Sequence, residues 1–221
     1  MPPSFLQSLQ SLSLFQNSFR FKAVVFTESP AIRSVAERLN LSCFPIVRTN
    51  PYGLPLVREM LLSARNQFDA AFWRRKLQWA WEYRKRVMSP EDLDACRIIF
   101  GEADGFPGLT VDRFSDLLVT QTLSIGMERA KDMIFPALVK LLREDGEVIR
   151  GVFERNDVAI RELEGMAQNK GWYVLPGETP PESPMTEICE NGVYYSVDVE
   201  NGQKTGFFLD QKYNRRAVGR L

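Results

Sequence analysis

Apolar positions along this chain follow two spacings, and the switches between them mark out its elements. Over "NQFDAAFWRRKLQWAWEYRKRVM", Trp73, Leu77, Ala80 and Val87 recur at helical intervals, with Asp69 placed to cap the first turn. "SPEDLDAC" predicts a second short helix or turn, with Ser89 as cap and Pro90 at its first position. "CRIIFGEADGFPGLTVDRFSDLLVTQTLS" then reads as strand, loop, strand, turn, strand. Gly101, Gly105, Pro107 and Gly108 punctuate the loop, and "RFSD" makes the turn. Helical spacing returns in "GMERAKDMIFPALVKLLRE", where Met127, Ala130, Ile134, Leu138, Leu141 and Leu142 share a side and Pro136 is a candidate kink. "VIRGVFERND" predicts a strand, "VAIRELEGM" a short helix or turn, and "GWYVLPGE" another strand.

"TPPESP" places three prolines in six residues and reads as a linker. After it, "MTEICENGVYYSVDVENGQKTGFF" has the pattern of a hairpin. Ile188, Val193, Tyr195, Val197 and Val199 alternate, and Asn191-Gly192 is a strong turn signal. "LDQKYNRRAVGRL" starts a helix with Asp210 as candidate cap. Before about residue 65 the pattern is weak. "SPAIRSVAERLN" resembles a short helix capped by Ser29, and "CFPIVRTNPYGLPL" is broken into loop by Pro and Gly. The first 20 residues are acid-poor and rich in Ser and Gln, with little to pack, and are expected to be mobile. They lack the basic start and apolar centre of a secretory signal; an organelle transit peptide fits slightly better, being acid-poor and Ser-rich, although sparse arginine argues against it.

Charge and composition narrow the chemistry. The 221 residues carry 28 basic and 28 acidic side chains, which argues against a generally basic nucleic-acid coat but permits a local basic face. Residues 1–65 hold seven basic and three acidic residues, so the rest of the chain is net acidic. There is no histidine, which removes histidine triads and His-containing metal sites. No run of about 18 apolar residues predicts a membrane span. Cys43, Cys96 and Cys189 have no metal-ligand spacing, and an odd number of separated thiols suits a reduced, cytoplasmic protein.

Few residues nominate themselves for chemistry. Arg74, Arg75, Lys76, Arg84, Lys85 and Arg86 alternate with Trp73, Trp79, Trp81 and Tyr83, a mixture that can bind RNA through phosphates and stacking. The plainer and preferred reading is an amphipathic helix whose tryptophans pack and whose charges are solvated. In the cluster of Glu154, Arg155, Asp157, Arg161, Glu162 and Glu164, the two arginines can touch RNA phosphate or buttress a neighbouring domain, or the charges can pair with one another to fix a turn, and the last is preferred. Glu102, Asp104, Asp112 and Arg113 fit loop structure better than paired catalytic carboxylates. The glycines near residue 105 are not a phosphate cradle, because no Lys-Ser/Thr and no helix follow them.

From about Gln67 to Arg216, several stretches in order resemble the bacterial large-subunit 23S rRNA (cytosine-5)-methyltransferases. They are "IIFGEADGFPGLTVDRFSDLLVTQ", "GMER", "GVFERNDVAIRELEGM" and "ENGVYYSVDVENGQKTGFFLDQKYNRR". The resemblance implies an α+β fold: a mixed-sheet middle domain followed by the first strands of a Rossmann-like domain that binds S-adenosyl-L-methionine. It divides the chain into an unassigned segment 1–65, unlike the PUA domain expected there, a basic aromatic helix 66–89, a middle domain 90–180, and a hairpin with the opening of the catalytic domain at 185–221.

On the same resemblance, "GQKTGFFLDQ" forms one lip of the cofactor site. Thr205 and Gly206 would give close backbone approach, Phe207 and Phe208 apolar walls, and Asp210 and Gln211 hydrogen bonds. The residues alone favour a plainer reading, a strand leading to a capped helix with both phenylalanines in the core. Arg74, Arg75, Arg84 and Lys85 are the expected contacts to ribosomal RNA. Methylating cytosine C5 requires a cysteine thiolate that adds to C6. Cys43, Cys96 and Cys189 are all poorly placed for that role, so this chain carries no expected catalytic residue. The expectation is a chain inactive alone, with a methyltransferase domain supplied downstream. The alternative is a non-catalytic RNA-binding or scaffold module built on the helix near 72–86.

Overall fold

The computed structural model describes residues 68–219, together with two strands earlier in the chain, β1 (Val24–Phe26) and β2 (Ser42–Phe44). These two pair in parallel, Val24 opposite Ser42 and Phe26 opposite Phe44. Cys43 and Phe44 are therefore strand rather than the loop expected from "CFPIVRTNPYGLPL". The short helix expected at 29–40, the rest of that loop and the mobile opening segment lie outside the described residues.

The second unit begins with helix α1 (Ala70–Val87). Asp69 caps it by accepting a hydrogen bond from the Phe72 amide at 2.8 Å. Phe72, Trp73, Leu77, Ala80, Trp81 and Arg84 form its buried stripe. Val87 does not belong to it: the residue is 54% exposed at the last position of the helix, and Met88 packs against the core in its place. A 3-10 turn follows at Pro90–Asp92, with Ser89 before it but making no side-chain capping bond.

Five strands make a mixed sheet in the order β3 (Ala95–Phe100), β4 (Leu109–Phe114), β5 (Leu117–Thr122), β6 (Gly151–Asn156) and β7 (Asn169–Tyr173). All neighbours are antiparallel except β5 and β6, whose parallel pairing needs a crossover. Helix α2 (Ile125–Glu144) supplies it, capped by Ser124 and continuous through Pro136. Four residues of helix, α3 (Ile160–Leu163), separate β6 from β7. Strand β7 starts earlier than "GWYVLPGE" implies and ends at Tyr173, so Val174 and Leu175 lie beyond it.

Alternation along the strands gives the sheet two apolar faces. Cys96, Ile98, Val111, Leu118 and Val152 face α1 and α2. Phe114, Leu117, Val119 and Phe153 face the other way, toward the hairpin of β8 (Met185–Glu190) and β9 (Val193–Asp198). The register skips between Arg97 and Ile99, a bulge that lets Ile98 and Ile99 enter the same core. The hairpin turns at Asn191 and Gly192, with φ of 53° and 80°. Two consecutive residues in the left-handed region suit the right-handed twist of the strands, which is why Asn-Gly stands there.

Past β9 the chain departs from the extended hairpin expected through Phe208. Strand pairing stops at Asp198, and turns run to a 3-10 turn at Leu209–Gln211 and helix α4 (Lys212–Val218). Asp210 lies inside the 3-10 turn and pairs with Lys204, so it caps nothing. Leu77 has no exposed surface, and its replacement by Ala should lower stability by about 3 kcal/mol through lost burial and the cavity left behind. Val87→Ala should change it by less than about 0.5 kcal/mol. Urea denaturation of both variants checks the contrast.

Candidate functional site

The lip segment is joined to the sheet by one buried carboxylate. Asp112, on the hairpin-facing side of β4, is 1% exposed. It accepts two hydrogen bonds from its cross-strand neighbour Arg97, from Nε at 2.7 Å and Nη2 at 3.0 Å. Its Oδ2 also accepts the Thr205 hydroxyl at 2.6 Å, across 93 residues of sequence. The Asp112 hydrogen bonds and the neighbouring Asp112 and Asp210 charges raise the already high Arg97 pKa, although burial opposes them.

A second tie comes from β6. Arg155 donates to the carbonyls of Val199 and Gly202 at 3.1 and 2.9 Å, and to Asp157 at 3.1 Å. It therefore holds the turn that follows β9. Asp198 organises the same turn by accepting from the Glu200 and Asn201 amides, both at 2.9 Å. Gly202 is required there: a Cβ would fall inside the contact spheres of the Asp198 and Gly206 carbonyl oxygens. Burial pushes the Asp198 carboxyl up. The hydrogen bonds from Asn201 and Glu200 outweigh it and hold the pKa below the usual carboxylate range.

The six expected lip residues divide by exposure. Thr205 is buried, its hydroxyl committed to Asp112. Gly206 (φ 138°) is half-buried beside Val197, and Phe207 packs on Tyr195 with a ring separation of 5.1 Å. Phe208 is half-buried, with the Lys204 ammonium 4.7 Å from its ring centre. Asp210 and Gln211 are exposed. Arg215 fastens the far side, pairing with buried Glu190 at 2.5 and 2.7 Å and donating to the Phe208 carbonyl at 2.8 Å. Lys212 reaches Asp92 at 3.1 Å and the Ala95 carbonyl at 3.0 Å. Neither Arg215, Lys212 nor Arg97 stood out in the sequence, because their partners lie 25, 120 and 15 residues away.

The four expected RNA contacts do not form one surface. Arg74 is exposed and pairs with Glu144 at 2.8 Å. The Arg75 guanidinium lies 5.8 Å from the centre of the Trp79 ring. Lys85 reaches Asp145 at 3.0 Å and Glu82 at 2.9 Å. Arg84, by contrast, is 8% exposed and forms a two-pronged pair with Asp104 at 2.6 and 2.8 Å, besides donating to the Arg97 carbonyl. Its guanidinium is spent inside the protein, anchoring α1 to the loop after β3. That leaves Arg74, Arg75 and Lys85 as the residues that face outward.

In the charged cluster after β6, Arg155 pairs with Asp157 as the preferred reading has it, whereas Arg161 and Glu154 find their partners on α2. Arg161 donates to the Thr122 carbonyl and pairs with Glu128 at 3.0 Å, while Lys131 joins Glu128 and Glu154 at 2.7 and 3.0 Å. Cys96 is buried, which pushes its thiol up to about 12 and leaves it protonated and unreactive. Among the described residues no cluster of Cys, Asp and Glu could hold a metal ion, and no helix is long and apolar enough to cross a membrane.

The fold is shared with a solved structure, SMU.776, "a putative methyltransferase complexed with SAH". It is 22% identical to this chain, with a TM-score of 0.54 over 69% of this chain and 36% of that one. At that identity the likeness concerns the fold alone. Sequence similarity is closer to two proteins named ribosomal RNA large subunit methyltransferase I. The one from Aliivibrio fischeri (strain MJ11) is 44% identical over 166 residues, and the one from Aeromonas salmonicida (strain A449) is 43% identical over 152. The matches cover 75% and 69% of this chain but only 40% and 36% of those proteins, so the chain spans well under half the length of the curated relatives it matches. No family model matches the chain.

Two outcomes follow from this geometry. Arg84→Ala should cost about 3–5 kcal/mol, since it strands the Asp104 carboxylate in a nearly closed setting, and thermal melts will register it. The depressed Asp198 carboxyl contributes stability that is complete above its unfolded pKa of about 3.9 and is lost as pH falls through its lower folded value. Amide exchange at Glu200 and Asn201, corrected for intrinsic rates, should thus stay protected down to about pH 4 and lose protection below it.

Proposed function

We propose that this chain is part of an S-adenosyl-L-methionine-dependent methyltransferase that modifies cytosine C5 in large-subunit ribosomal RNA. The observation that carries the reading is the continuous similarity, 43–44% identical over 152–166 residues, to proteins named for rRNA methylation. The SAH bound in the fold neighbour SMU.776 supports the choice of cofactor. In this reading Phe208, Asp210 and Gln211 present the open side of the cofactor lip, and Thr205, Gly206 and Phe207 set its position from beneath. The Asp112 and Arg155 ties support that division of labour, since both hold backbone or buried groups and leave the outer ones accessible.

A methyl acceptor carbon as weakly nucleophilic as cytosine C5 needs a thiolate to add at C6. Cys96 is closed to that role by its burial. The lip offers one wall, whereas small-molecule sites commonly enclose about 70–90% of the ligand. The 221-residue chain by itself is therefore expected to transfer no methyl group. The basic side of α1, with Arg74, Arg75 and Lys85, meets rRNA phosphates. The pair between Arg74 and Glu144 is exposed and worth little, so a phosphate can displace it.

The reading is tested by exchange. Residues 68–219 replace the matching stretch of the Aliivibrio fischeri relative, and methyl transfer to unmodified 23S rRNA is assayed beside the 221-residue chain alone. Retained transfer by the chimera, with the label on cytosine C5 by mass spectrometry of nucleosides, is the expected result. A chimera that folds and transfers nothing, or that labels another base, overturns it.

A further inference from the structure

Helix α1 distributes its aromatic residues unequally. Trp73 and Trp81 are 4% and 1% exposed, whereas Trp79 and Tyr83 are 59% and 56% exposed. The outward pair stands four residues apart, so the two rings are neighbours on one face of the helix, about 6 Å apart at their Cβ atoms. Each has a guanidinium near its ring: Arg75 lies 5.8 Å from the Trp79 centroid and Arg84 lies 5.4 Å from that of Tyr83. Buried Trp73 stacks on Phe106 at 5.8 Å, and buried Trp81 donates its indole N–H to Asp145 at 2.7 Å. Core packing accounts for Trp73 and Trp81 and leaves Trp79 and Tyr83 unexplained.

We propose that Trp79 and Tyr83 form a stacking platform for unpaired bases of RNA, with single-stranded rather than duplex RNA as its substrate. The proposal rests on the reading of α1 as an RNA-facing helix and adds what part of the RNA it takes. Charge complementarity selects a nucleic acid over an apolar protein surface. Arg74, Arg84 and Lys85 are paired with Glu144, Asp104 and Asp145, and the positive charge beside the two rings comes from Arg75, near Trp79, and from exposed Arg86, three residues past Tyr83. Stacking selects the single strand. In a duplex the faces of the bases are covered by their stacked neighbours, whereas unpaired bases can splay out and lay a face on an exposed ring.

The test uses the full 221-residue chain and two labelled RNAs of equal length, an unstructured oligouridine and a blunt duplex, with binding followed by anisotropy at low and moderate salt. Trp79→Ala and Tyr83→Ala should each weaken oligouridine binding about tenfold and leave duplex binding unchanged, while Trp79→Phe should retain most of the affinity. Both positions are exposed, so the variants should melt with the parent chain. Salt-sensitive binding that is equal for the two RNAs and indifferent to these variants sinks the platform and leaves the phosphate reading standing. Absence of any RNA binding sinks both. Concentration-dependent self-association that Trp79→Ala abolishes would assign the rings to a second copy of the chain and overturn the proposal.

Discussion

The carboxylate of Asp112 is the constraint on which the second half of the molecule depends. A buried charge is tolerated only when its oxygens are occupied, and here a guanidinium fork and a hydroxyl occupy them. The fork comes from the adjacent strand, so the pair is fixed once β3 and β4 are in register. Thr205 completes the set from the turn after the hairpin. Arg97 already reaches both oxygens, and the Thr205 hydroxyl adds a second bond to Oδ2 on the side beneath the hairpin. With it, the turn is fastened where the sheet can hold it. Arg155 repeats the device from β6 by binding carbonyls instead of a side chain. The lip is therefore held from two strands of the same sheet.

This arrangement explains why the sheet has two covered faces although helices stand on only one. The helices bury the face containing Ile98, Val111, Leu118 and Val152, and the hairpin buries the face containing Phe114, Val119 and Phe153. A free two-stranded hairpin is marginal in water. Here Ile188, Val197 and Val199 gain a core from the strands beneath them. The proline-rich stretch that looks like a linker in the sequence leads straight into this packing.

Much of the fold was legible from spacing, because periods of two and of about three and a half residues report which side of an element is buried. The Asn191-Gly192 turn, the Asp69 cap and the crossover helix followed from local chemistry of that kind. What failed to show was decided by distant partners. Arg84 and Arg86 look alike in sequence, yet only Arg84 meets Asp104 across the loop after β3. Val87 has the right interval for the core but lies at a helix end. Asp210 sits where a cap belongs, but Lys204, in the left-handed region at φ 55°, brings its ammonium to that carboxylate instead. For the candidate site the lip was visible as a motif, whereas the groups that position it, Asp112, Arg97, Arg155 and Arg215, were visible only as scattered charges.

The bond from Lys212 to Asp92 spans 120 residues. During synthesis Asp92 and the Ala95 carbonyl emerge from the ribosome well before the ammonium that will satisfy them. At roughly 5–20 residues per second, the interval is on the order of 6–24 seconds. Throughout it, the end of β3 is exposed to water and to any other cation in reach, while β4 to β7 can assemble around it. Helix α4 is thus a late fastening, and the acidic turn at Pro90–Asp92 is a receptor that must stay accessible until it arrives.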